Sequence, residues 1–450
     1  MLIRNEQLGE KAYLKMATIM QIKSKNIFYR AEDEQTKEAI INGFKQLYKD
    51  DNKILEHSEE IVNLMLETLE IIEKKYNTIN IKPPIKPKSK AKDIYGISQR
   101  QIIELLGSEN LKQIINKFKW FISTILKQQD AKLVIHNTSK IMLKKKKQEI
   151  AGYEDLRALS IMPATIMAFD KIIAVVIDKE IKSKMSPNQH GGREKQGINI
   201  AKIAMYYKMQ TKGFNKILLI DLKKAFDMVN RKILQSDIIN KFKISDTTKI
   251  LLNITKIYDN INIQVEQEKI HPTRGVPQGS VFGPTLFLIY IGDILKQIEQ
   301  NQKIHIQAFI DDIAIASNDI LELQNTFNKI KSLIKQKSME INTQKCELIT
   351  NNLEDTIIDP DSNTSVKTIP QSKYLGQKIN NGFKTEDIIF KHNYQSIYQL
   401  IKTSETFITT RSRIKLFKTY IKAKYNHLLP LITLNWRCRD NMETNKENNI

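Results

Sequence analysis

Apolar residues recur at helical spacing through Thr36–Tyr48 and Ile54–Tyr76, with charged residues between them, which predicts two amphipathic helices. The stretch around Pro83, Pro84 and Pro87 interrupts that pattern. Proline removes backbone donors and the interspersed lysines favour water, so a linker is expected there. Helical spacing resumes from Ser98 to Gln128, and from Tyr153 onward strand-like and helix-like segments alternate as in an α+β or α/β domain. Within that part, Lys216–Leu222 reads as a buried strand, Ala225–Lys243 as the helix that follows, and Pro277 to Pro284 as a loop punctuated by Gly and Pro. Thr285–Ile298 has the spacing of a helix packed on a sheet, and Ile304–Ser317 reads as a hairpin with Asp311 and Asp312 at its tip. Asp319 is placed to cap a helix running to about Lys337, and Cys346–Thr350 is a further strand. Thr409 to Leu434 alternates basic and apolar positions at helical spacing before a polar tail that is expected to be disordered. The pattern divides the chain into a helical N-terminal extension and linker (1–92), a central mixed region (93–385) and a helical C-terminal segment (386–450).

Composition adds a partner class. With 450 residues the chain can bury a sizeable core, and 71 Lys and Arg against 50 acidic residues give +21, which favours a polyanion through steering and counterion release. Abundant Ile, Lys and Asn are what an AT-biased coding sequence gives, so part of the lysine excess carries no selected function. No apolar run reaches the ~18 residues that span a bilayer and no basic amphipathic stretch stands out, so nucleic acid is favoured over a membrane. Cys346 and Cys438 lie far apart without other ligands nearby, which supports neither a disulfide framework nor a zinc knuckle. The opening MLIRNEQLGEKAYLK lacks the apolar core of a signal peptide, so an intracellular location is expected. Lys144 to Lys147 would suit a nuclear address, a phosphate contact or a solvated loop equally.

The chemistry is carried by acids. Asp221 stands where the apolar run of Lys216–Leu222 stops, and Asp311–Asp312 interrupts the apolar hairpin Ile304–Ser317. Three carboxylates brought together there would repel, and divalent cations with oxygen ligands relieve that repulsion. Two such ions roughly 3.5–4 Å apart clamp the attacking and leaving oxygens of an in-line phosphoryl displacement, so nucleotidyl transfer is the expected reaction.

The blocks DLKKAFD, RGVPQGSVFGPTLFLIYIGDI, AFIDDIAIAS, MEINTQKCELI and SKYLGQKI follow one another in an order that resembles the reverse transcriptase domain of LINE-type retrotransposons, which lack long terminal repeats. Group II intron proteins are similar more distantly. The resemblance covers roughly Leu143 to Asn380 and implies an α+β right-hand polymerase with fingers, palm and thumb that extends a DNA primer on an RNA template with deoxynucleoside triphosphates. By position it assigns Asp221 and Asp311 to two Mg²⁺ ions, which Mn²⁺ can replace, with Asp312 completing the cluster. Phe226 would lie under the nucleotide sugar and exclude a 2′-hydroxyl, which argues against an RNA-dependent RNA polymerase; Gln278 and Gly279 would pack on the nascent base pair. Arg157 would contact the triphosphate, Lys345 the leaving pyrophosphate, and Tyr374, Leu375 and Gly376 the primer strand. Asp227 matches a second acidic position but, at the start of a helix, reads as a cap or ion-pair partner.

Three features depart from the family's pattern. Ile310 occupies a place where a small residue is usual, predicting altered fidelity or slower turnover. NQHGGR at Asn188–Arg193 replaces a pattern that contains an aromatic residue, and the Gly-rich fingers segment upstream has no counterpart. No endonuclease or RNase H constellation is recognisable, so target nicking is expected from another protein or a pre-existing DNA end. A catalytically decayed RNA-binding protein on the same fold is the alternative from a different class.

Overall fold

The computed structural model describes residues 34–49, 58–76, 91–107, 110–125, 136–146, 153, 156–193 and 196–382. The expected linker around Pro83 to Pro87, the C-terminal helix over Thr409 to Leu434 and its polar tail lie outside the described residues.

Two sheets organise the described part. The larger is built from β3 (Lys216–Ile220), β6 (His305–Phe309), β7 (Asp312–Ser317), β8 (Glu347–Ile349) and β9 (Lys367–Ile369), in the order β6-β7-β3-β8-β9. All neighbours are antiparallel except β8 and β9. The period-2 alternation of a strand gives this sheet two apolar faces. Leu218, Ile220, Ile313 and Ile315 enter the main core, whereas Ile217, Ala314, Ala316 and Ile349 face a second cluster with Met205, Tyr206 and Met209. The second sheet, order β2-β1-β4-β5, comprises β1 (Thr138–Lys145), β2 (Leu156–Ile161), β4 (Asn262–Val265) and β5 (Glu268–Ile270).

The helices of the N-terminal extension share these cores. The first, α1 (Glu34–Tyr48), lays Ile40, Phe44 and Leu47 on Ile141, Leu143, Leu156 and Val265 of the four-stranded sheet. The second, α2 (Ser58–Tyr76), contributes Ile61, Met65, Leu69 and Ile72 to the main core. That core is completed by α3 (Gln99–Leu106), α4 (Leu111–Ile125), α5 (Ala164–Ser183), α7 (Arg231–Phe242), α8 (Asp246–Asp259), α9 (Gly283–Glu299) and α10 (Ile320–Gln336); α6 (Ile198–Lys212) covers the opposite face of the larger sheet. A two-stranded hairpin, β10 (Gln371–Tyr374) with β11 (Gln377–Asn380), packs against α6. The arrangement is a mixture of helices and sheets, as the expected α+β class requires. Among the described residues no helix is long and apolar enough to cross a membrane.

Some boundaries differ from the sequence expectation for identifiable reasons. Helical spacing from Ser98 to Gln128 is two helices, because Gly107 ends α3 at φ 82. The helix expected from Ala225 begins at Arg231, where Asn230 accepts hydrogen bonds from the Lys232 and Ile233 amides as its N-cap. Residues before it form turns that start from Lys224 at φ 46, so Asp227 opens no helix.

Candidate active site

Asp221 is the first residue beyond β3, whose register pairs Ile220 with Ile313 on β7; one further step sets Asp221 across from Asp312. On the other side of β7, Phe309 pairs with Asp312 and leaves Ile310 and Asp311 as a two-residue turn. Asp221 and the adjacent pair Asp311 and Asp312, distant from it in sequence, therefore meet at one end of the larger sheet. Electrostatics agree with that placement. Burial raises the Asp311 carboxyl above its ordinary range, and Asp221 raises it further. Asp312 is pushed up to about 6 by burial, then by Asp311 and Asp221. Asp221 is raised by burial and drawn back by Lys345, by a hydrogen bond from Asn342 and by Lys146. The Asn342 amide also donates to the Asp221 carbonyl at 2.8 Å, which ties the first acid to the segment that carries Lys345.

Hard oxygen donors that repel one another fit a divalent cation better than they fit each other. Among the described residues no group of three His, Cys, Asp or Glu side chains is arranged so that it could hold a metal ion by itself. An open set of this kind suits Mg²⁺, which keeps several waters and takes substrate phosphate oxygens alongside one or two carboxylates.

Cations from separate elements surround the acids. Arg157, on β2, pairs with Lys144 across the ladder and lowers the carboxyl of Asp311. Lys345 closes a single 3₁₀ turn, Thr343–Lys345. Lys146, just past β1, is lowered to about 8 by partial desolvation, then by Lys224, Lys345 and Arg157. Mutual repulsion of that kind would be relieved by a polyphosphate, just as repulsion among the acids would be relieved by cations.

The remaining expected residues divide into two groups. Phe226 is half-buried and stacks on the buried ring of Phe287, with centroids 4.8 Å apart and planes at 16°. Gln278 and Gly279 join β2 through a backbone hydrogen bond, in which the Ser160 amide donates to the Gln278 carbonyl at 2.7 Å. Gly279 sits at φ +127, and a Cβ there would lie 2.3 Å from the Ser160 oxygen, so the close approach requires glycine. Among the described residues Asp227 caps no helix and forms no direct ion pair: its carboxylate is buried and accepts from the Tyr48 hydroxyl at 2.9 Å and from Gln278 Nε2 at 3.2 Å. The hairpin expected to grip the primer is present, but Tyr374 points inward. It is 3% exposed and its hydroxyl accepts from Gln307 Nε2 at 2.9 Å, which makes it an anchor for the hairpin. Leu375 and Gly376, both at positive φ, form the tip.

Sequence reasoning missed Tyr48, Asn342 and Gln189, and it left Lys146 inside an undifferentiated lysine run. Nothing local marks them, since Tyr48 acts through Asp227, 179 residues away, Gln189 through Ile310, 121 residues away, Lys146 through Lys224 and Lys345, and Asn342 through Asp221 across the sheet.

The profile of the family described as reverse transcriptase (RNA-dependent DNA polymerase) matches residues 143–379. Polyproteins from the type-1 retrotransposable element R2 are similar: that of Nasonia vitripennis is 28% identical over 155 residues, 32% of this chain and 15% of that polyprotein. The counterpart from Popillia japonica is 28% identical over 167 residues, 34% of this chain and 27% of its own. The RNA-directed DNA polymerase from the mobile element jockey of Drosophila melanogaster is 22% identical over 240 residues, which is 48% of this chain and 25% of that protein. The chain thus spans about a quarter or less of the curated relatives it matches. Among solved structures, the apo telomerase of Candida tropicalis has a TM-score of 0.42 at 11% identity, covering 70% of this chain and 52% of that one. Because the matched profile runs across more than half of the 450 residues and contains every acid that meets at the sheet end, the chain belongs to the reverse transcriptase family.

Proposed function

We propose that this chain is an RNA-directed DNA polymerase of non-long-terminal-repeat retrotransposon type, extending a DNA 3′-hydroxyl on an RNA template. The observation that carries the reading is the meeting of Asp221, Asp311 and Asp312 at one sheet end, ringed by Arg157, Lys146 and Lys345. Asp221 and Asp311, with Asp312, would hold two Mg²⁺ ions, or Mn²⁺. The chemistry supplied by ions bound there would be activation of the attacking hydroxyl and neutralisation of charge on the leaving oxygen. The chain's own groups supply the rest. Arg157 and Lys146 orient the triphosphate, and Lys345 stands where negative charge grows on departing pyrophosphate. Gln278, held by Asp227, and Gly279 present a flat backbone surface to the new base pair. Phe226, backed by Phe287, closes the space that a ribose 2′-hydroxyl would need. The tip at Leu375 and Gly376 meets the primer strand, with Tyr374 behind it.

A nuclear location completes the proposal. The test is primer extension by the purified protein on an RNA template with a DNA primer and Mg²⁺, offered deoxy- or ribonucleotides separately. Deoxynucleotide incorporation supports the reading. Incorporation of ribonucleotides alone would identify an RNA polymerase, and tight RNA binding without extension a decayed relative.

A further inference from the structure

The turn that carries Asp311 contains the least comfortable backbone in the site. Ile310 lies at φ +61, the first central position of a two-residue hairpin turn and one that favours glycine. A β-branched residue in that conformation is an outlier, and such conformations persist only where surrounding structure over-determines them.

One side chain supplies that restraint. Gln189 Oε1 accepts from the Ile310 amide at 2.8 Å, while Gln189 Nε2 donates to the Ile310 carbonyl at 3.2 Å. A single carboxamide therefore closes on both backbone groups of the strained residue. Gln189 is 2% exposed, and its segment is docked beside β6: the Ala308 amide donates to the Asn188 carbonyl and the His190 amide to the Ala308 carbonyl, each at 2.9 Å. The same Oε1 accepts from the Gly191 amide at 2.9 Å. Gly191 is needed beneath the turn, because a Cβ there would lie 2.4 Å from Ile310 Cγ1 and 2.6 Å from Ile310 N. Arg193 braces the far side, donating from Nη1 to the Ser186 carbonyl at 2.8 Å and to the Gln189 carbonyl at 3.3 Å. The NQHGGR segment thus serves as a cradle shaped for an isoleucine turn.

We propose that Gln189 is a positioning residue for catalysis: by clasping both backbone groups of Ile310 it holds the turn in the conformation that turns Asp311 and Asp312 toward Asp221. The proposal rests on the polymerase reading. Displacing reacting groups by about 1 Å costs on the order of 10²-fold in rate, so loss of the clasp should appear in kcat, with little effect on KM for the nucleotide.

The test compares wild type, Gln189→Ala, Gln189→Glu and Ile310→Gly, and each Gln189 variant combined with Ile310→Gly. Gln189→Glu keeps the volume and the acceptor while setting an oxygen against the Ile310 carbonyl, so it remains informative if the alanine variant folds poorly. The readouts are kcat and KM in primer extension, and the denaturant midpoint in chelator, which needs no metal. Each Gln189 variant alone should lose at least tenfold in kcat with KM changed less than twofold. In the Ile310→Gly background Gln189→Ala should lose less than threefold, since glycine adopts positive φ without restraint, with a midpoint shift non-additive in the same sense, and Gln189→Glu, whose oxygen still opposes the carbonyl at that position, should lose less than it does alone. Equal losses in both backgrounds, or a rise in KM with kcat unchanged, would overturn the role of Gln189 while leaving an active polymerase. An inactive wild type would overturn both that reading and this one.

Discussion

Replacing Tyr48 by Phe removes one hydroxyl from the interior and leaves the ring. That hydroxyl donates to Oδ1 of Asp227 at 2.9 Å, and the carboxylate is 5% exposed, so water cannot take its place. Gln278 still holds Oδ2 at 3.2 Å, but the other oxygen loses its donor. Leaving a buried charged acceptor unsatisfied costs about 2–3 kcal/mol, the upper part of the range for such groups. The loss should depend on pH with a defined sign. Burial already raises the Asp227 carboxyl above its ordinary 3.8, and the Tyr48 hydrogen bond draws it back, so Tyr48→Phe raises it further. A carboxyl raised on folding keeps its proton longer in the folded state, and stability falls as pH climbs from the unfolded value through the folded one. The deficit of Tyr48→Phe relative to wild type is therefore expected to be greater at pH 8 than at pH 5. Urea unfolding followed by circular dichroism at both pH values measures it. In an Asp227→Ala background, where no carboxylate remains to be satisfied, Tyr48→Phe should shift stability by no more than about 0.5 kcal/mol. The same loss in both backgrounds, or a larger deficit at the lower pH, would refute the reasoning.

Three other expectations follow from the site. Asp221→Asn should lower primer extension on the order of 10³-fold or more, yet leave stability in chelator equal or higher, because Asp311 and Asp312 each lose a repelling neighbour; a fall in that stability would make Asp221 a structural residue instead. Phe226→Val should raise ribonucleotide use by roughly tenfold, read as the ratio of kcat/KM for matched ribo- and deoxynucleotides, and Phe287→Leu should move the ratio less in the same direction because it only loosens the stack. Gly279→Ala forces a Cβ to within 2.3 Å of the Ser160 oxygen at φ +127, so an unfolding free energy lower by about 2–3 kcal/mol in denaturant titration and a higher KM for the nucleotide are expected together.

What could be read from the sequence was whatever a local pattern encodes. The strand read over Lys216–Leu222, the hairpin Ile304–Ser317 and the helix Thr285–Ile298 match β3, β6 with β7, and α9 to within about two residues, because each combines a clear apolar period with a clear stop. The start of α7 was misplaced by six residues because Ala225 to Met228 are apolar enough to extend a helical pattern, and the decisive signal was the cap at Asn230. The parallel pairing of β1 with β4 joins Thr138 to Asn262, and no local rule anticipates a partner that far along the chain. The site behaved in the same way. Its acids announce themselves at strand ends, whereas Tyr48 and Gln189 look like ordinary polar residues until folding brings Asp227 and Ile310 to them.

The convergence of the acids is itself a consequence of hydrophobic alternation. Both faces of β3 and β7 are buried, with Leu218, Ile220, Ile313 and Ile315 on one side and Ile217, Ala314 and Ala316 on the other. The two faces differ in size. A one-residue slip would drive isoleucines into the space that α6 leaves for Ala314 and Ala316, and would open voids where they had been. The mixture of large and small residues on β7 thus selects the register that pairs Ile220 with Ile313. With that register set, Asp221 has no choice but to emerge beside Asp312, and the two-residue turn leaves Asp311 adjacent. Core packing brings the three charges together against their repulsion. The stability of the sheet supplies the work, and the cations proposed for the site would recover it on binding.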